Sequence, residues 1–332
     1  MQRTAVALIS GGLDSILAAA VIQEQGFDIT GLYCTSAFSK SFGREAETPA
    51  AAVCRNVGIR LRILDLAQPY IDIIRNPRHG YGKNINPCID CKIYMLEQAK
   101  TILAETGSSF VVTGEVLGQR PMSQRRDTLN VIERDSGLRG RILRPLSAAL
   151  LPPTVAEQEG LVDRSRLLGI SGRGRGVQLR LAERYGISGY SAPAGGCLLT
   201  DKNFAEKLRE LFRHQEAVVP EDIRLLTFGR HFTFDDGVKI VLGRDSRENK
   251  LLFELASPVR HLFTPYRFAG PAALVIGPIT AEIRQVVGRL ILTYSKQNFG
   301  QPRYIRWNEE IFDPGEPLPL PALGLRKVGT EH

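Results

Sequence analysis

Short apolar runs alternate with longer stretches of mixed apolar and polar positions over the first two-thirds of the chain. The apolar runs predict buried strands at Ala5–Ile9, Ile29–Tyr33, Leu61–Asp65 and Phe110–Thr113. The longer stretches predict helices at Ser15–Gln25, Thr48–Val57, Tyr94–Glu105 and Gln178–Tyr185. Because strands and helices alternate, this part of the chain is predicted to be an α/β fold with a doubly wound parallel sheet.

The pattern changes after Phe204–His214, which is predicted to be a connecting helix. From Leu225 onward, alternating apolar and polar residues predict antiparallel strands, with a hairpin turn at Asp236 and Gly237. One further helix is predicted at Thr280–Tyr294. This mixture indicates a second, smaller α+β domain.

These changes set the predicted domain boundaries. Residues 215–222 are expected to be a linker between a first domain at 1–214 and a second domain at 222–312. The proline-rich end, residues 313–332, is expected to be an irregular tail.

Charge and cysteine content narrow the range of partners. The net charge of +8 and the isoelectric point near 9.4 favour a polyanionic partner. No apolar stretch is long enough to span a bilayer and the amino terminus lacks signal-peptide features, so we expect a cytoplasmic protein without a membrane partner. Five cysteines, an odd number, argue against a disulfide framework and indicate metal or catalytic use of some of them.

Polar loops follow several of the predicted strands. In doubly wound sheets, ligands bind beyond the carboxyl ends of the strands. We therefore expect one crevice to be lined by the loops Ser10–Ser15, Tyr33–Phe38 and Thr113–Gln124.

The first of these loops, SGGLDS at Ser10–Ser15, favours an anion. Its glycines let the backbone approach a ligand, and the free N–H groups at the start of the next helix attract negative charge. The alternative is a tight turn capped by Ser10 or Asp14. Neither GxxxxGKS/T nor GxGxxG occurs here, which excludes the P-loop and Rossmann nucleotide sites at this position.

SGGLDS resembles the pyrophosphate loop of the PP-loop ATPases, which have a HUP-like fold and cleave ATP between its α and β phosphates. The resemblance implies that AMP activates an oxygen of the substrate. It also implies a set of pyrophosphate ligands, the backbone amides of Gly11, Gly12 and Leu13 with the hydroxyls of Ser10 and Ser15. Asp14 is assigned to Mg²⁺, because a carboxylate cannot stabilise phosphate by its own charge.

A second stretch, residues 111–146, resembles the catalytic core of the tRNA 4-thiouridine synthetases, which carry TGE-x-LGQ, then SQ, then LRPL. The matching positions are Thr113, Gly114, Glu115, Leu117, Gly118, Gln119, Ser123, Gln124 and Leu143–Leu146. The resemblance implies a role near ATP and the target base for Thr113, Gly114, Glu115 and Gln119. Taken alone, these residues indicate only a polar loop after a buried strand, with Glu115 as a helix cap.

The likeness to these synthetases covers roughly residues 1–200. Because the SGGLDS loop begins at Ser10, we expect no THUMP-type RNA-binding region before it, and we expect no rhodanese-like domain after it. We therefore expect the route of sulfur and the mode of RNA binding to differ from those of that family.

Three cysteines are candidates for sulfur or metal chemistry. Cys88 and Cys91 form a CxxC pair directly before a predicted helix, and Cys197 lies in the stretch SAPAGGCLLTD. Cys34 and Cys54 are interpreted as ordinary buried thiols.

Three interpretations of these cysteines remain open. A redox disulfide between Cys88 and Cys91 is available to any CxxC pair. A structural Zn²⁺ site needs a fourth ligand, and His79 is the only histidine nearby in the sequence. A [4Fe–4S] cluster held by Cys88, Cys91 and Cys197 resembles those of the cluster-dependent tRNA thiolases, and it leaves one iron open to bind hydrosulfide.

The stretch SGRGRG at residues 171–176 places arginines between glycines. Glycines in such a loop make it mobile or let a ligand approach the backbone closely. Arg173 and Arg175 are therefore expected to contact phosphates of RNA or of ATP.

Residues 225–252 resemble the NFACT-R RNA-binding domain, and the likeness extends over roughly residues 224–300. Its signature GR-x-x-x-x-N-x-x-L falls on Gly243, Arg244, Asn249 and Leu252. Cations of this domain are expected to neutralise RNA phosphates: Arg230, His231, Lys239, Arg244, Arg247 and Lys250, with Arg244, Arg247 and Lys250 assigned as RNA-binding residues. Alternatively, Arg244 and Asn249 hold a turn together.

These features predict ATP-dependent tRNA thiolation, most simply the formation of 4-thiouridine by adenylation of uridine O4. The expected catalytic residues are Asp14, Cys88, Cys91 and Cys197. The expected cofactors are ATP, Mg²⁺ and a [4Fe–4S] cluster, with Zn²⁺ or no metal as alternatives and a cysteine persulfide as the alternative sulfur carrier. The expected partners are tRNA and a sulfur donor, either a cysteine desulfurase or free sulfide.

Two other functions stay open at this point. One is a PP-loop enzyme that acts on a small molecule by sulfur insertion or amidation, and the arginine-rich loop and second domain count against it. The other is a non-catalytic RNA-binding protein with a vestigial ATP site, and the intact SGGLDS loop and three candidate cysteines count against that.

Overall fold

The chain divides between Thr200 and Asp201 into two units, Met1–Thr200 and Asp201–His332. In this computed structural model the described residues are 3–38, 49–191, 197–234, 237–296 and 303–329. Among them, no helix has both the length and the apolar character needed to cross a membrane.

The first unit is built on a parallel sheet. Its described strands are β1 (Thr4–Leu8), β2 (Asp28–Thr35), β3 (Arg60–Asp65), β4 (Val111–Thr113) and β5 (Ile142–Leu143). They lie in the order β3-β2-β1-β4-β5, and every neighbouring pair is parallel. At the carboxyl end of the central strand, Leu8 pairs with Leu32 on one side and with Thr113 on the other.

Helices cover both faces of this sheet. The described helices are α1 (Leu13–Gln23), α2 (Pro49–Asn56), α3 (Ala67–Arg75), α4 (Cys88–Thr106), α5 (Arg126–Asp135), α6 (Val155–Gln158) and α7 (Gly176–Arg184). Side chains of β1 alternate between two cores, with Ala5 and Ala7 in the one that contains α1 and Val6 and Leu8 in the one that contains α4. The predicted doubly wound parallel sheet is confirmed.

The second unit contains an antiparallel sheet. Its described strands are β6 (Arg230–Thr233), β7 (Lys239–Leu242), β8 (Arg260–Tyr266), β9 (Ala273–Ile276), β10 (Tyr304–Trp307), β11 (Glu310–Phe312) and β12 (Arg326–Val328). They lie in the order β11-β10-β8-β9-β7-β6-β12. The described helices of this unit are α8 (Lys202–His214), α9 (Pro220–Leu225), α10 (Ser246–Leu255) and α11 (Ala281–Thr293).

Apolar side chains of this unit form one core on each face of the sheet. The core beneath α11 includes Phe232, Ile240 and Phe263, whereas Val241 and Leu274 lie on the opposite face with α9 and α10. The predicted second, smaller α+β domain is confirmed. Part of the predicted hairpin turn, Asp236, lies outside the described residues.

The unit boundary and the chain end differ from their prediction. Helix α8 belongs to the second unit, whereas the sequence placed the boundary near residues 215–222. Within the segment expected to be an irregular tail, β12 pairs antiparallel with β6, and Val328 lies opposite His231. The pairing gives β6 a second neighbour and so protects a strand that would otherwise form the edge of the sheet.

Candidate functional site

The SGGLDS loop makes the turn from β1 into α1. Gly11 has φ +77°, and a Cβ at this residue would lie 3.0 Å from the Cβ of Ala50. The carbonyl of Gly11 also accepts a hydrogen bond from the N–H of Ser191, at 2.9 Å. Only glycine fits this left-handed conformation and this close approach without strain.

The first turn of α1 is left without a side-chain cap in the described chain. Its N-cap is Gly12, and no side chain bonds the first helical N–H groups in place of a cap. The hydroxyl of Ser15 donates to the carbonyl of Gly12 at 2.8 Å and accepts from the N–H of Ser10 at 3.1 Å. The hydroxyl of Ser10 also accepts a hydrogen bond from the N–H of Gly12 at 3.4 Å, so Ser10 does bond this turn, as the alternative interpretation predicted. Among the described residues, however, no side chain caps the helical N–H groups, which leaves the positive end of α1 available to an anion.

The loop after β4 packs directly on this turn. A Cβ at Gly114 would lie 2.4 Å from the backbone nitrogen of Ser15 and 2.5 Å from the carbonyl oxygen of Asp14, so no larger residue fits. The side-chain Nε2 of Gln119 donates a hydrogen bond to Oδ2 of Asp14 at 3.1 Å. The two stretches that carry the sequence resemblances therefore meet at the start of α1.

Asp14 keeps one carboxylate oxygen for a ligand. Its Oδ1 is buried and has no hydrogen-bond partner among the described residues. A carboxylate oxygen in this position, beside a turn that favours phosphate, fits the coordination chemistry of Mg²⁺.

Glu115 is buried in a network of charges. Its Oε2 accepts hydrogen bonds from Nε of Arg144 at 3.0 Å and from the hydroxyl of Thr113 at 3.1 Å, and Nζ of Lys92 lies 3.7 Å from Oε1. Burial opposes ionisation of this carboxyl, but Lys92 and then Arg144 outweigh it and lower its pKa. Arg144 also pairs with Glu133 of α5. Glu115 therefore anchors its loop to α4 and β5.

The CxxC pair lies in the first turn of α4. Cys91 is buried and Cys88 is half-buried, and Pro87 precedes them as the N-cap. The expectation that the pair comes before the helix was wrong, because α4 begins at Cys88 rather than at Tyr94.

Electrostatic interactions bring Cys197 into the same group. Burial is the main reason why the pKa of the Cys91 thiol is raised, and charge on Cys197 or Cys88 raises it further. The Tyr70 hydroxyl forms a hydrogen bond with Cys91 that favours the thiolate. Cys197 is exposed as a whole residue, although partial burial of its thiol raises its pKa.

Two cations act on these thiols. Desolvation raises the pKa of both Cys88 and Cys197, and the charge of Arg120 offsets this in part at each of them. Lys92 has the same effect at Cys88. Arg120 belongs to the loop after β4, and Lys92 of α4 contacts Glu115 of the same loop. The TGEVLGQ loop and the cysteines are therefore linked by these two cations.

The three cysteines fit an iron–sulfur cluster in their chemistry but do not form its geometry. Thiolate is the ligand that such clusters take in most proteins. Within residues 3–38, 49–191, 197–234, 237–296 and 303–329, however, no three His, Cys, Asp or Glu side chains are grouped closely enough to hold a metal ion. Ligation by Cys88, Cys91 and Cys197 therefore stays a prediction.

The histidine considered as a fourth ligand has other partners. Both ring nitrogens of His79 face carboxylates, Nδ1 at 3.1 Å from Asp90 and Nε2 at 2.9 Å from Asp135. This engagement removes the histidine on which a Zn²⁺ site would depend. Burial raises the pKa of Cys34 and of Cys54 to about 11 each. Cys54 is a buried thiol as predicted, whereas Cys34 is half-buried and lies within electrostatic reach of Lys92 and Tyr70.

The SGRGRG stretch is bonded to the loop after β4. The N–H of Gly172 donates to the carbonyl of Leu117 at 2.8 Å. Arg173 is exposed, whereas Arg175 is half-buried and its Nε has no hydrogen-bond partner in the described chain. Arg173 and Arg175 therefore follow a turn that is hydrogen-bonded to the TGEVLGQ loop.

The NFACT-R-like signature holds a turn in the second unit. Asn249 accepts a hydrogen bond from the N–H of Ala272 at 2.9 Å and donates one to the carbonyl of Gly270 at 3.3 Å. The guanidinium of Arg244 bonds the carboxylate of Glu248, with Nη2 to Oε1 at 2.8 Å. Arg244 and Asn249 therefore make the turn contacts that the alternative interpretation predicted. Arg247 and Lys250 are exposed on α10.

Two of the cations expected to face RNA are not at the surface. His231 is 1% exposed, and the Nζ of Lys239 is buried. Both belong to strands that the alternating pattern predicted. The pattern did not show that α9 and α10 cover the face of the sheet to which these two side chains point. Their side chains are therefore enclosed by the unit and not free for phosphate.

Several residues of the site were missed in the sequence. Lys92, Arg120 and Arg144 supply its charges, and Tyr70 contacts Cys91. Arg144 lies inside the LRPL motif, and Lys92 directly follows Cys91. Their positions in or beside these motifs were the sequence signal that could have indicated a role in the site. Tyr70 lies in α3, which was not predicted.

Comparison with known proteins agrees with these motifs. Residues 1–149 match the family model of the thiamine biosynthesis protein ThiI. Residues 229–310 match the family model of the NFACT protein RNA binding domain, so both predicted resemblances are confirmed.

Curated relatives match part of this chain. The tRNA-specific 2-thiouridylase MnmA of Pelobacter propionicus is 34% identical over 124 residues, which cover 34% of this chain and 33% of that one. MnmA 1 of Syntrophus aciditrophicus is 31% identical over 131 residues, which cover 34% and 33%. The chain spans about a third of the length of these relatives.

Solved structures with similarity include a 4-thiouridine synthetase–RNA complex with bound ATP, at 20% identity and a TM-score of 0.34 over 55% of this chain and 50% of that one. The U34-tRNA thiolase NcsA of Methanococcus maripaludis, solved with its [4Fe–4S] cluster, is 15% identical with a TM-score of 0.31 over 68% and 69% of the two chains. Neither likeness bears on the chemistry of this chain.

Proposed function

We propose that this chain is an ATP-dependent tRNA thiouridine synthetase that releases AMP and pyrophosphate. The observation that carries the proposal is the bond from Gln119 to Asp14, because it joins the thiouridine-synthetase-like loop to the PP-loop. The matches to ThiI and to the MnmA relatives support the same class of reaction.

The first step takes place at the start of α1. The β and γ phosphates of ATP bind the free N–H groups of the SGGLDS loop, and Asp14 would hold Mg²⁺, which neutralises phosphate charge. Uridine O4 attacks the α-phosphorus, the bond between that phosphorus and the bridging oxygen breaks, and pyrophosphate leaves. The leaving anion is stabilised by the helix N-terminus and the backbone N–H groups around Gly11 and Gly12.

The second step needs a nucleophilic sulfur that displaces AMP from C4 of the adenylated uridine. We propose that Cys88, Cys91 and Cys197 supply it. A [4Fe–4S] cluster held by them would supply bound hydrosulfide. In the alternative, a cysteine desulfurase leaves a persulfide on one of these cysteines, and its outer sulfur displaces AMP from C4. A second cysteine thiolate then attacks the sulfur of the first cysteine, which breaks the S–S bond, releases the thiouridine and leaves a disulfide between the two cysteines. Burial raises the pKa of Cys88, and the charges of Arg120 and Lys92 offset this in part, so both cations favour anionic sulfur here.

The second unit is proposed to dock tRNA. It contains the match to an RNA-binding domain, and the chain carries a net charge of +8. A cysteine desulfurase or free sulfide is proposed as the sulfur donor, and the cytoplasm as the place of action, because tRNA is modified there.

The experiment uses the full chain, purified without oxygen and supplied with unmodified tRNA, ATP, Mg²⁺ and sulfide. AMP and pyrophosphate are measured, tRNA nucleosides are separated by mass, and iron and acid-labile sulfide are quantified per chain. We expect tRNA-dependent AMP release together with 4-thiouridine. Formation of 2-thiouridine would overturn the O4 assignment, and AMP release without any need for tRNA would favour a small-molecule substrate.

A further inference from the structure

One end of the antiparallel sheet presents aromatic and cationic side chains on a single face. Strand β10 pairs with β8 so that Tyr304 lies opposite Tyr266 and Arg306 opposite Thr264. Strand β11 adds Ile311 opposite Arg306. Because side chains alternate between the two faces of a strand, these residues all project to the same side.

Two guanidinium groups lie over one ring of this face. The Cζ atoms of Arg306 and Arg267 are 4.8 Å and 5.0 Å from the centroid of the Tyr266 ring. In the portion of the chain described here, neither arginine has a carboxylate within salt-bridge distance. Arg267 also has φ +61°, a conformation that is uncommon outside glycine. Both charges are therefore left for an anionic partner.

The patch is open to solvent, whereas the opposite face of the same strands is core. Tyr304 is 37% and Ile311 45% exposed, and Arg306 is exposed as well. Ile305, which lies between Tyr304 and Arg306 in the sequence, is 0% exposed, and so is Phe263 on the neighbouring strand β8. The fold therefore does not need the exposed tyrosine for its core.

Two other candidates for RNA contact in this unit, Arg244 and Asn249, are engaged internally, whereas Arg247 and Lys250 are exposed on α10. Arg244 bonds Glu248, and Asn249 bonds the backbone of Gly270 and Ala272. Strand β10 lies within the part of the chain that matches the RNA-binding domain. Among the described residues, the aromatic and cationic groups of the exposed face of β8 and β10 show no such hydrogen bond or ion pair.

We propose that Tyr266, Arg267, Tyr304 and Arg306, the Tyr–Arg face, form a stacking platform for unpaired bases of tRNA. The proposal rests on the proposed function, in which tRNA is the partner. An exposed ring on a sheet stacks on any base, and planar guanidinium groups beside it contact phosphates or further base planes. The face therefore fits a single-stranded loop or end of tRNA and does not require a particular sequence.

The test measures binding of the full chain to unmodified tRNA and to a single-stranded oligouridine of about ten nucleotides by fluorescence anisotropy. We expect Tyr304→Ala and Arg306→Gln each to weaken oligouridine binding about tenfold, while Tyr304→Phe keeps the wild-type affinity. The matched control is Arg224→Gln, which removes a half-exposed arginine that faces Glu254 at 3.7 Å, and it should change affinity less than twofold.

The outcomes separate this proposal from the proposed function. Unchanged affinity in a Tyr304→Ala, Arg306→Gln double variant that still thiolates tRNA overturns the platform and leaves the proposed function standing. An equal loss in Tyr304→Ala and Tyr304→Phe overturns stacking, because phenylalanine keeps the ring. A wild-type chain that binds neither RNA contradicts both proposals.

Discussion

Gln119 donates a hydrogen bond to Asp14 at 3.1 Å, although the two residues are 105 positions apart in the chain. The bond joins the loop after β4 to the first turn of α1. Asp14 uses Oδ2 for this contact, and its Oδ1 is buried without a partner among the residues that are described. One carboxylate therefore links two motifs and keeps an oxygen for a cation.

Asp14→Asn tests the assignment of that oxygen. The amide keeps the size of the side chain but removes the charge that attracts Mg²⁺, so we expect tRNA-dependent AMP release to fall about a hundredfold. The control is Asp28→Asn, an exposed carboxylate at the start of β2 that pairs with Arg60. A titration with Mg²⁺ checks the result, and equal rates for wild type and Asp14→Asn at every concentration would contradict the assignment.

Gly114→Ala tests the contact between the two loops. The added methyl group would lie 2.4 Å from the nitrogen of Ser15, so we expect the free energy of unfolding to fall by about 1–3 kcal/mol and ATP binding to weaken. Denaturant unfolding and ATP titration measure the two effects. Gly169→Ala is the control, since a Cβ there would make only ordinary contacts, the nearest at 3.5 Å from the Cβ of Ala149. Similar behaviour of the two variants would count against the contact.

Arg144→Leu tests the buried charge network around Glu115. Both side chains are 3% exposed, so removal of the arginine strands a buried carboxylate and should cost about 3–5 kcal/mol of unfolding free energy. Arg60→Leu breaks the exposed pair with Asp28 and should cost about 1 kcal/mol or less. If Glu115→Gln in the Arg144→Leu background restores no stability, the unpaired charge is not the cause.

Lys239 predicts a pH dependence of stability in the second unit. Burial is the main cause that lowers the pKa of its ammonium group to about 7, and Lys207 adds to this while Asp222 and Glu210 oppose it. In the unfolded chain its pKa is about 10.4, so between these values the unfolded state binds more protons and stability rises with pH. Below the folded pKa both states are charged, and the destabilisation is complete.

We therefore expect Lys239→Met to raise the free energy of unfolding at pH 7 by about 1–3 kcal/mol and to reduce its rise between pH 7 and pH 9.5. Hydrogen exchange of the β6 and β7 amides in the full chain measures this. Lys202→Met removes a lysine whose side chain is 82% exposed and should change neither quantity. A steeper pH dependence in Lys239→Met than in the wild type would contradict the account.

The α/β architecture was predictable because its signals are local. Apolar runs predicted β1 to β4. Because ligands bind at the carboxyl ends of parallel strands, the sequence also predicted that the SGGLDS and TGEVLGQ loops lie close together. Strand β5 was missed because Ile142–Leu143 is too short to show a pattern. Helix α5 was missed because Leu129 and Ile132 are its only residues that the structure buries.

The charges of the site were not predictable, because they depend on pairs distant in sequence. Nothing in the chain around Arg144 indicates that it faces Glu115, and the contact of Lys92 with that carboxylate depends on how α4 lies against β4. The same limit applies to β12. Its proline-rich surroundings indicate an irregular tail, but the free edge of β6 supplies a partner for it.

The central claim is the proposal that the SGGLDS loop and the three cysteines carry out successive steps of one reaction. The most direct measurement compares Asp14→Asn and Cys91→Ala under anaerobic conditions, with AMP release and thiolated nucleosides counted in the same samples. The account predicts that Cys91→Ala still releases AMP in the presence of tRNA but forms no thiolated nucleoside, and that Asp14→Asn gives neither product. Full thiolation by Cys91→Ala would contradict the account.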